Sequence, residues 1–243
     1  MFSLSITTVQ ANLHWEDKAA NLAMLEDRID SIQARTEIVV LPEMFNTGFS
    51  MHVQQLAEPM EGSTMAWMKR IVMEKKIILT GSMIIEDNGN YFNRLIWMLP
   101  DGKYGSYDKR HRFGYAGEDQ YFTAGNRRLI ASVKGWKINL QVCYDLRFPV
   151  WVRQQIIPGD GAAPEYDLII YVANWPQRRS HAWKSLLTAR AIENQCYVAG
   201  VNRTGNDGKE ETFTAVLQKQ HLDAVRTSFP FWKDADHFLI DPQ

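Results

Sequence analysis

The stretch Ile38-Val39-Val40-Leu41-Pro42-Glu43-Met44-Phe45 sets a carboxylate at the end of an apolar run. Five of the six residues before Glu43 are apolar or proline, so the run reads as a buried strand. Desolvation disfavours an ionised carboxylate at such a place. Two later stretches repeat the arrangement. Ile138-Asn139-Leu140-Gln141-Val142 ends in Cys143, and Leu168-Ile169-Ile170-Tyr171-Val172-Ala173 ends in Asn174-Trp175. In open α/β sheets ligands bind beyond the carboxyl ends of strands, so these strand ends mark a candidate site.

Outward from that stretch, the chain alternates strands and helices. Leu4 to Val9 reads as a first strand. Asp17 can cap a helix with Leu22, Leu25, Ile29 and Ile32 at helical spacing, ending near Ala34. Strand, helix, strand opens a βαβ unit. A second helix is expected from Ser63 to Lys75, and a strand from Ile77 to Ile85. Arg94–Leu99 and Lys103–Asp108 flank Pro100-Asp101-Gly102, a hairpin signal, and another strand pair surrounds Gly135. Gly159 to Pro164 reads as a flexible loop, and Ser180 to Asn194 as a helix. The pattern mixes crossovers with hairpins in one sheet system or two. No interdomain linker or internal repeat interrupts it, so residues 1–243 read as one domain.

The composition excludes several functions. With 45% apolar and 23% charged residues and a net charge of −1, the chain has an ordinary globular balance and no electrostatic footprint for nucleic acid or an anionic membrane. A single domain of this size buries roughly 70–75% of its unfolded surface, so it needs no metal or disulfide staple. The N-terminus lacks the basic and apolar regions of a signal peptide. Cys143 and Cys196 are too few for a disulfide scaffold, which points to a reducing, cytoplasmic compartment. The histidines show no metal-ligand spacing and no phosphate-binding glycine loop is present, so neither metal nor cofactor is expected.

Lys109 closes a hairpin within Tyr107-Asp108-Lys109-Arg110-His111, and Glu118 follows in a loop that Gly125-Asn126 ends. A carboxylate, an ammonium and a thiol from separate strand ends can supply base, electrophile and nucleophile. Cys143 lies on a strand-to-helix turn with Asp145 as a cap, and a helix N-terminus there favours thiolate. The competing arrangement pairs Cys143 with His111 or His181, as in papain-like hydrolases. Cys196 reads as a small buried hydrophobe.

Leu41-Pro42-Glu43-Met44-Phe45, Tyr107-Asp108-Lys109-Arg110-His111 and Val142-Cys143-Tyr144-Asp145-Leu146-Arg147-Phe148-Pro149 resemble, in that order, the three signatures of the carbon–nitrogen hydrolase (nitrilase) superfamily. Ala173-Asn174-Trp175-Pro176 and Ala189-Arg190-Ala191-Ile192-Glu193-Asn194 are similar too, and the resemblance runs from Leu4 to Gly205. It implies a four-layer α-β-β-α sandwich, two facing mixed sheets with helices outside, assembled as dimers or larger homo-oligomers. It also implies Glu43, Lys109 and Cys143 as catalytic residues and a small amide as substrate. Glu118, Tyr144, Arg147, Asn174 and Trp175 would assist or position that substrate, with Arg147 pairing either a substrate carboxylate or Asp145. Cys-Tyr-Asp-Leu-Arg-Phe-Pro-Val-Trp resembles the bacterial omega-amidases, which deaminate 2-oxoglutaramate and 2-oxosuccinamate. A nitrilase or other amidase, and an idle binding protein on the same fold, are the alternatives.

One departure from the family pattern stands out. After Asn202-Arg203-Thr204-Gly205 the family continues through one or two further strands, whereas here residues 206–212 pass almost directly to Thr212-Phe213-Thr214-Ala215-Val216-Leu217. Either the segment is deleted, or the chain breaks between Gly208 and Glu210 with Cα atoms farther apart than the ~3.8 Å of a peptide link. Residues 218–243 read as a C-terminal extension.

Overall fold

A computed structural model describes residues 3–157, 163–205, 208, 210–236 and 238–240 of the chain. The first half runs β1 (Ser3–Gln10), α1 (Lys18–Asp30), β2 (Ile38–Val40), α2 (Val53–Leu56), α3 (Ser63–Lys75), β3 (Ile78–Asp87), β4 (Asn90–Met98) and β5 (Tyr104–Asp108). After α4 (Glu118–Tyr121) come β6 (Leu129–Val133), β7 (Trp136–Val142), α5 (Pro149–Val152) and the short pair β8 (Ile156–Ile157) and β9 (Ala163–Pro164). The chain continues through β10 (Leu168–Ala173), α6 (Ser180–Asn194), β11 (Tyr197–Asn202), β12 (Glu211–Gln218) and α7 (Lys219–Ser228). Asp17 caps α1 by accepting from the Ala20 N–H at 3.0 Å. That helix stops at Asp30 rather than near Ala34, because the Ser31 hydroxyl turns back to the Arg28 carbonyl at 2.7 Å.

One sheet has the order β12-β1-β2-β3-β4-β5 and the other β11-β10-β7-β6. Both are mixed: β1, β2 and β3 are parallel, as are β7, β10 and β11, and hairpin strands flank each set. Leu4, Ile6, Ile38 and Val40 of the first sheet share one apolar cluster with Ile138, Leu140, Val142 and Ile170 of the second. The first sheet's other face packs Val9, Val39 and Leu79 against Leu25, Ile29, Met68 and Ile71 of α1 and α3. Helix α6 lies against the second sheet through Trp183 and Leu187. The four layers are α-β-β-α, as the resemblance implied.

This layering brings the carboxyl ends of β2, β7 and β10 together. Each is an interior strand of its sheet, and the groups just past its carboxyl end meet those of its neighbours. Among the described residues the second sheet holds four strands against six in the first, and β11 is its edge. The expected break between Gly208 and Glu210 falls on residue 209, outside the described residues, as does most of the expected 159–164 loop. No helix among the described residues is long and apolar enough to cross a membrane.

The segment after β12 packs against the body of the fold. Gln218 ends β12, and α7 is held to the body by Arg226. The buried Arg226 guanidinium donates to Asp167 at 2.9 Å and to the carbonyls of Tyr166 and Gln195 at 2.7 and 2.9 Å. Asp167 also receives Lys219 and the Lys137 N–H. Removing one partner of a buried ion pair leaves the other charge uncompensated. Arg226→Ala should therefore lose about 3 kcal/mol of stability in equilibrium denaturation. An unchanged midpoint would mean that Lys219 alone satisfies Asp167.

Candidate active site

Glu43 follows the end of β2 in a turn fixed by Ser82, whose hydroxyl and carbonyl accept from the N–H groups of Met44 and Phe45 at 3.0 Å each. Lys109 follows β5, its backbone N–H donating to the Asn93 carbonyl at 3.0 Å. The loop after it returns at Gly125, whose N–H donates to the Lys109 carbonyl at 3.0 Å. A Cβ on Gly125 would lie 2.0 Å from the Asp108 carbonyl oxygen, so only glycine permits this closure.

The three charges meet without water-exposed surface to spare. Lys109 is 1% exposed while the Glu43 and Glu118 side chains are fully buried. Lys109 Nζ donates to Glu43 Oε1 at 2.8 Å and to both Glu118 oxygens at 2.8 and 3.0 Å. Asn93 Nδ2 bridges the same two carboxylates at 2.9 and 3.1 Å. Glu43 Oε2 accepts the Asn174 backbone N–H at 2.9 Å, and Glu118 Oε2 the Phe113 N–H at 2.5 Å. Burial alone would push the Lys109 ammonium down. The Glu118 and Glu43 carboxylates overcome it and hold Lys109 well above the ordinary lysine range. Burial, and then the Glu43 charge, raise Glu118 above the usual carboxylate value against the pull of Lys109.

Cys143 opens a 3₁₀ turn, Cys143–Arg147, directly after β7, and its backbone adopts φ +43°. A non-glycine residue there is strained, as residues at reactive strand-to-helix turns often are. Asp145 braces the turn. Its buried carboxylate accepts from the Val142 N–H at 3.1 Å, the Tyr107 hydroxyl at 2.8 Å and the His111 N–H at 2.9 Å. His111 Nδ1 lies 2.8 Å from the same carboxylate and its ring stacks on Phe148 at 3.8 Å. Asp145 thus caps the 3₁₀ turn from within, reaching back to the Val142 N–H, and does not cap the α5 helix that follows.

The expectation of a thiolate favoured by a helix N-terminus does not hold. Burial first, then the Glu43 charge, push the Cys143 thiol well above its ordinary value, while Lys109 and the Asn174 N–H pull it back. A one-turn 3₁₀ segment has too small a dipole to offset that burial. Burial and the Glu43 charge thus both favour the protonated thiol over the thiolate. His111 is committed to Asp145 and His181 is exposed on α6, so neither forms the papain-like pair. Cys196 is free and buried, and burial raises its thiol strongly.

Cys143 and Lys109 lie in the floor of a cavity of about 280 Å³. Its walls include Phe49, Phe113, Tyr144 and Trp175, while Phe45, an aromatic of the loop after Glu43, is buried against Trp67 instead. Tyr144 packs edge-on against Phe113 and Phe148 with ring centroids 5.0 and 5.1 Å apart. Trp175 is fixed by a reciprocal pair with Asn202 (2.7 and 2.9 Å) and by donating its indole N–H to the Arg179 carbonyl at 2.9 Å. Arg147 does not pair with Asp145. It is exposed, and its guanidinium lies 5.0 Å from the Trp175 ring centroid. Arg178, Arg179 and Arg203 also line the cavity, and no ion pair joins these four arginines to a carboxylate among the described residues.

The sequence reading missed Asn93 and the rim arginines other than Arg147. An amide inside a strand of buried residues is a usable signal, since it must find partners. The rim arginines carry no such mark: they gather only through the loops after β10 and β11.

The sequence profile of the carbon–nitrogen hydrolases matches residues 5–227. The omega-amidase YafV of Yersinia enterocolitica is 39% identical over 99% of this chain and 100% of its own. The 2-oxoglutaramate amidase of Bacillus subtilis is 30% identical over 85% of this chain and 79% of its own. A carbon–nitrogen hydrolase superfamily protein of Xanthomonas campestris, solved with an arsenic adduct in its active site, superposes with a TM-score of 0.95. It is 37% identical and the match covers 99% of this chain and 100% of that one. The alignment with the Yersinia protein spans 265 positions against a chain of 243 residues, so about twenty positions have no residue here.

Because the Glu43 charge is one of the forces that raise the thiol, Glu43→Gln should let Cys143 ionise at lower pH, read by thiolate ultraviolet absorbance. A Glu43 that accepts the thiol proton would make turnover nevertheless fall by at least about a hundredfold on this substitution. A thiol titration unmoved by the substitution would assign the shift to burial alone.

Proposed function

The chain belongs to the carbon–nitrogen hydrolase family, and we propose that it hydrolyses the terminal amide of a small omega-amide acid such as 2-oxoglutaramate or 2-oxosuccinamate. The products are the acid and ammonia. The observation that carries the reading is a thiol, a buried carboxylate and a buried ammonium in the floor of a small cavity rimmed by arginines that have no carboxylate partner among the described residues. A substrate with an amide at one end and a carboxylate at the other matches both features. Its amide meets Cys143, and its carboxylate meets Arg147, which Trp175 supports from behind.

In this reading Glu43 takes the thiol proton as Cys143 Sγ attacks the amide carbon. Lys109 Nζ and the Tyr144 backbone N–H stabilise the oxyanion of the tetrahedral intermediate. Losing one such donor typically costs about a hundred- to a thousandfold in turnover. Collapse breaks the C–N bond, and Glu43 returns the proton to the leaving ammonia. A water that Glu43 then deprotonates attacks the thioester, releasing the acid and the thiol. Glu118 keeps Lys109 charged and directed, and Asn174 holds Glu43 through its backbone. Two free, buried cysteines support work in a reducing cytoplasm, and the family resemblance supports a homodimer or larger assembly.

Ammonia release from 2-oxoglutaramate by the unaltered protein and by Cys143→Ala tests the proposal, with glutamine and a simple nitrile as controls. We expect activity on the keto-amide that the substitution abolishes while the unfolding midpoint is retained. Release from the nitrile alone would move the chain to nitrilase chemistry. Silence on every substrate would favour a binding protein on the same fold.

A further inference from the structure

We infer that Arg203 is a positioning residue, acting through Asn174 on the oxygen of Glu43 that receives the thiol proton. The inference rests on the proposed roles of Glu43 and Cys143. Of the two Glu43 oxygens, Oε1 is taken up by Lys109 Nζ and Asn93 Nδ2 at 2.8 and 2.9 Å. Oε2 remains to act as the base, and among the described residues its protein donor is the Asn174 backbone N–H at 2.9 Å. The same N–H acts on the Cys143 thiol. One peptide group therefore faces both partners of the proton transfer, and a small rotation of it moves the base relative to the nucleophile.

Asn174 lies one residue past β10, where the regular ladder has ended and the backbone needs another restraint. Ala173 is opposite Asn202 in the parallel pairing of β10 with β11, so Arg203 comes level with Asn174 just beyond both strands. The Arg203 N–H donates to the Ala173 carbonyl at 3.2 Å, extending the ladder by one bond. Its Nε then donates to Asn174 Oδ1 at 2.5 Å, and Nη1 to the Thr204 carbonyl at 3.2 Å. A planar guanidinium held at two of its nitrogens fixes the Asn174 side chain in one orientation, which a flexible ammonium cannot reproduce. The group also lines the cavity, so the residue that sets the base is in reach of whatever fills the site.

Alkylation of Cys143 by iodoacetamide, followed by mass spectrometry, tests this without any amide substrate. The reagent is neutral, so a guanidinium gains nothing by binding its charge. Arg203→Gln should slow alkylation by about tenfold or more, in line with the cost of small misplacements at reacting centres. Arg203→Lys should fail to restore the rate, because charge without the fork does not orient Asn174. Asn174→Ala keeps the backbone N–H but removes the grip, so it should reproduce the loss, and the double variant should be no slower than either single one. It also carries the test if Arg203→Gln does not fold. Full rescue by lysine, or losses that multiply in the double variant, would overturn the inference. A reactive thiol indifferent to Arg203→Gln would overturn it alone. A thiol in the unaltered chain that resists the reagent would overturn the nucleophile assignment and this inference with it.

Discussion

Lys109 places its ammonium within 3.0 Å of two carboxylates at a point almost closed to water. Each of those charges loses several kcal/mol of hydration on burial, and their attraction offsets the loss only while the geometry is held. This constraint explains much of the surrounding structure. Asn93 fills the gap between Glu43 and Glu118, Phe113 turns its N–H onto Glu118, and Gly125 draws the loop back onto Lys109. Loosening any of them exposes a charge to a place that cannot solvate it. The cluster is therefore part of the fold's stability as well as of its chemistry.

The two facing sheets serve the same end. In α/β sheets the groups that meet a ligand lie past the carboxyl ends of the strands. Glu43, Cys143 and Asn174 meet there because β2 belongs to one sheet and β7 and β10 to the other. The Cys143 thiol and the Glu43 carboxylate come from opposite halves of the sandwich, with the apolar cluster between the sheets setting their separation.

How much of this was legible follows from how local each signal is. Glu43 and Cys143 stand out because each closes an apolar or alternating run where its residue type is out of place, whereas Lys109, in a basic cluster of ordinary kind, stands out only through the company it keeps. The helices over Ser63–Lys75 and Ser180–Asn194 were readable from their periodicity. The state of the Cys143 thiol was not, because a neighbour rule about helix ends says nothing of burial or of a carboxylate a hundred positions away. Asp145 read as a cap and bonds the Val142 N–H as one, but the register of β5 against β4 also delivers His111 and Tyr107 to it, and of the two partners expected for Arg147 Asp145 is not one, since Arg147 lies over Trp175. Arg203 needed the pairing of β10 with β11 before its place beside Asn174 had meaning.

The backbone of Cys143 bears on the stability of the chain. At φ +43° a cysteine holds a conformation that glycine or asparagine adopts more readily, at a penalty of about 1–3 kcal/mol. A protein a few kcal/mol above its stability threshold gains from relieving such strain. A residue that relaxed this turn would also take the thiol out of the cavity floor, so at this one position stability and a reactive group pull against each other.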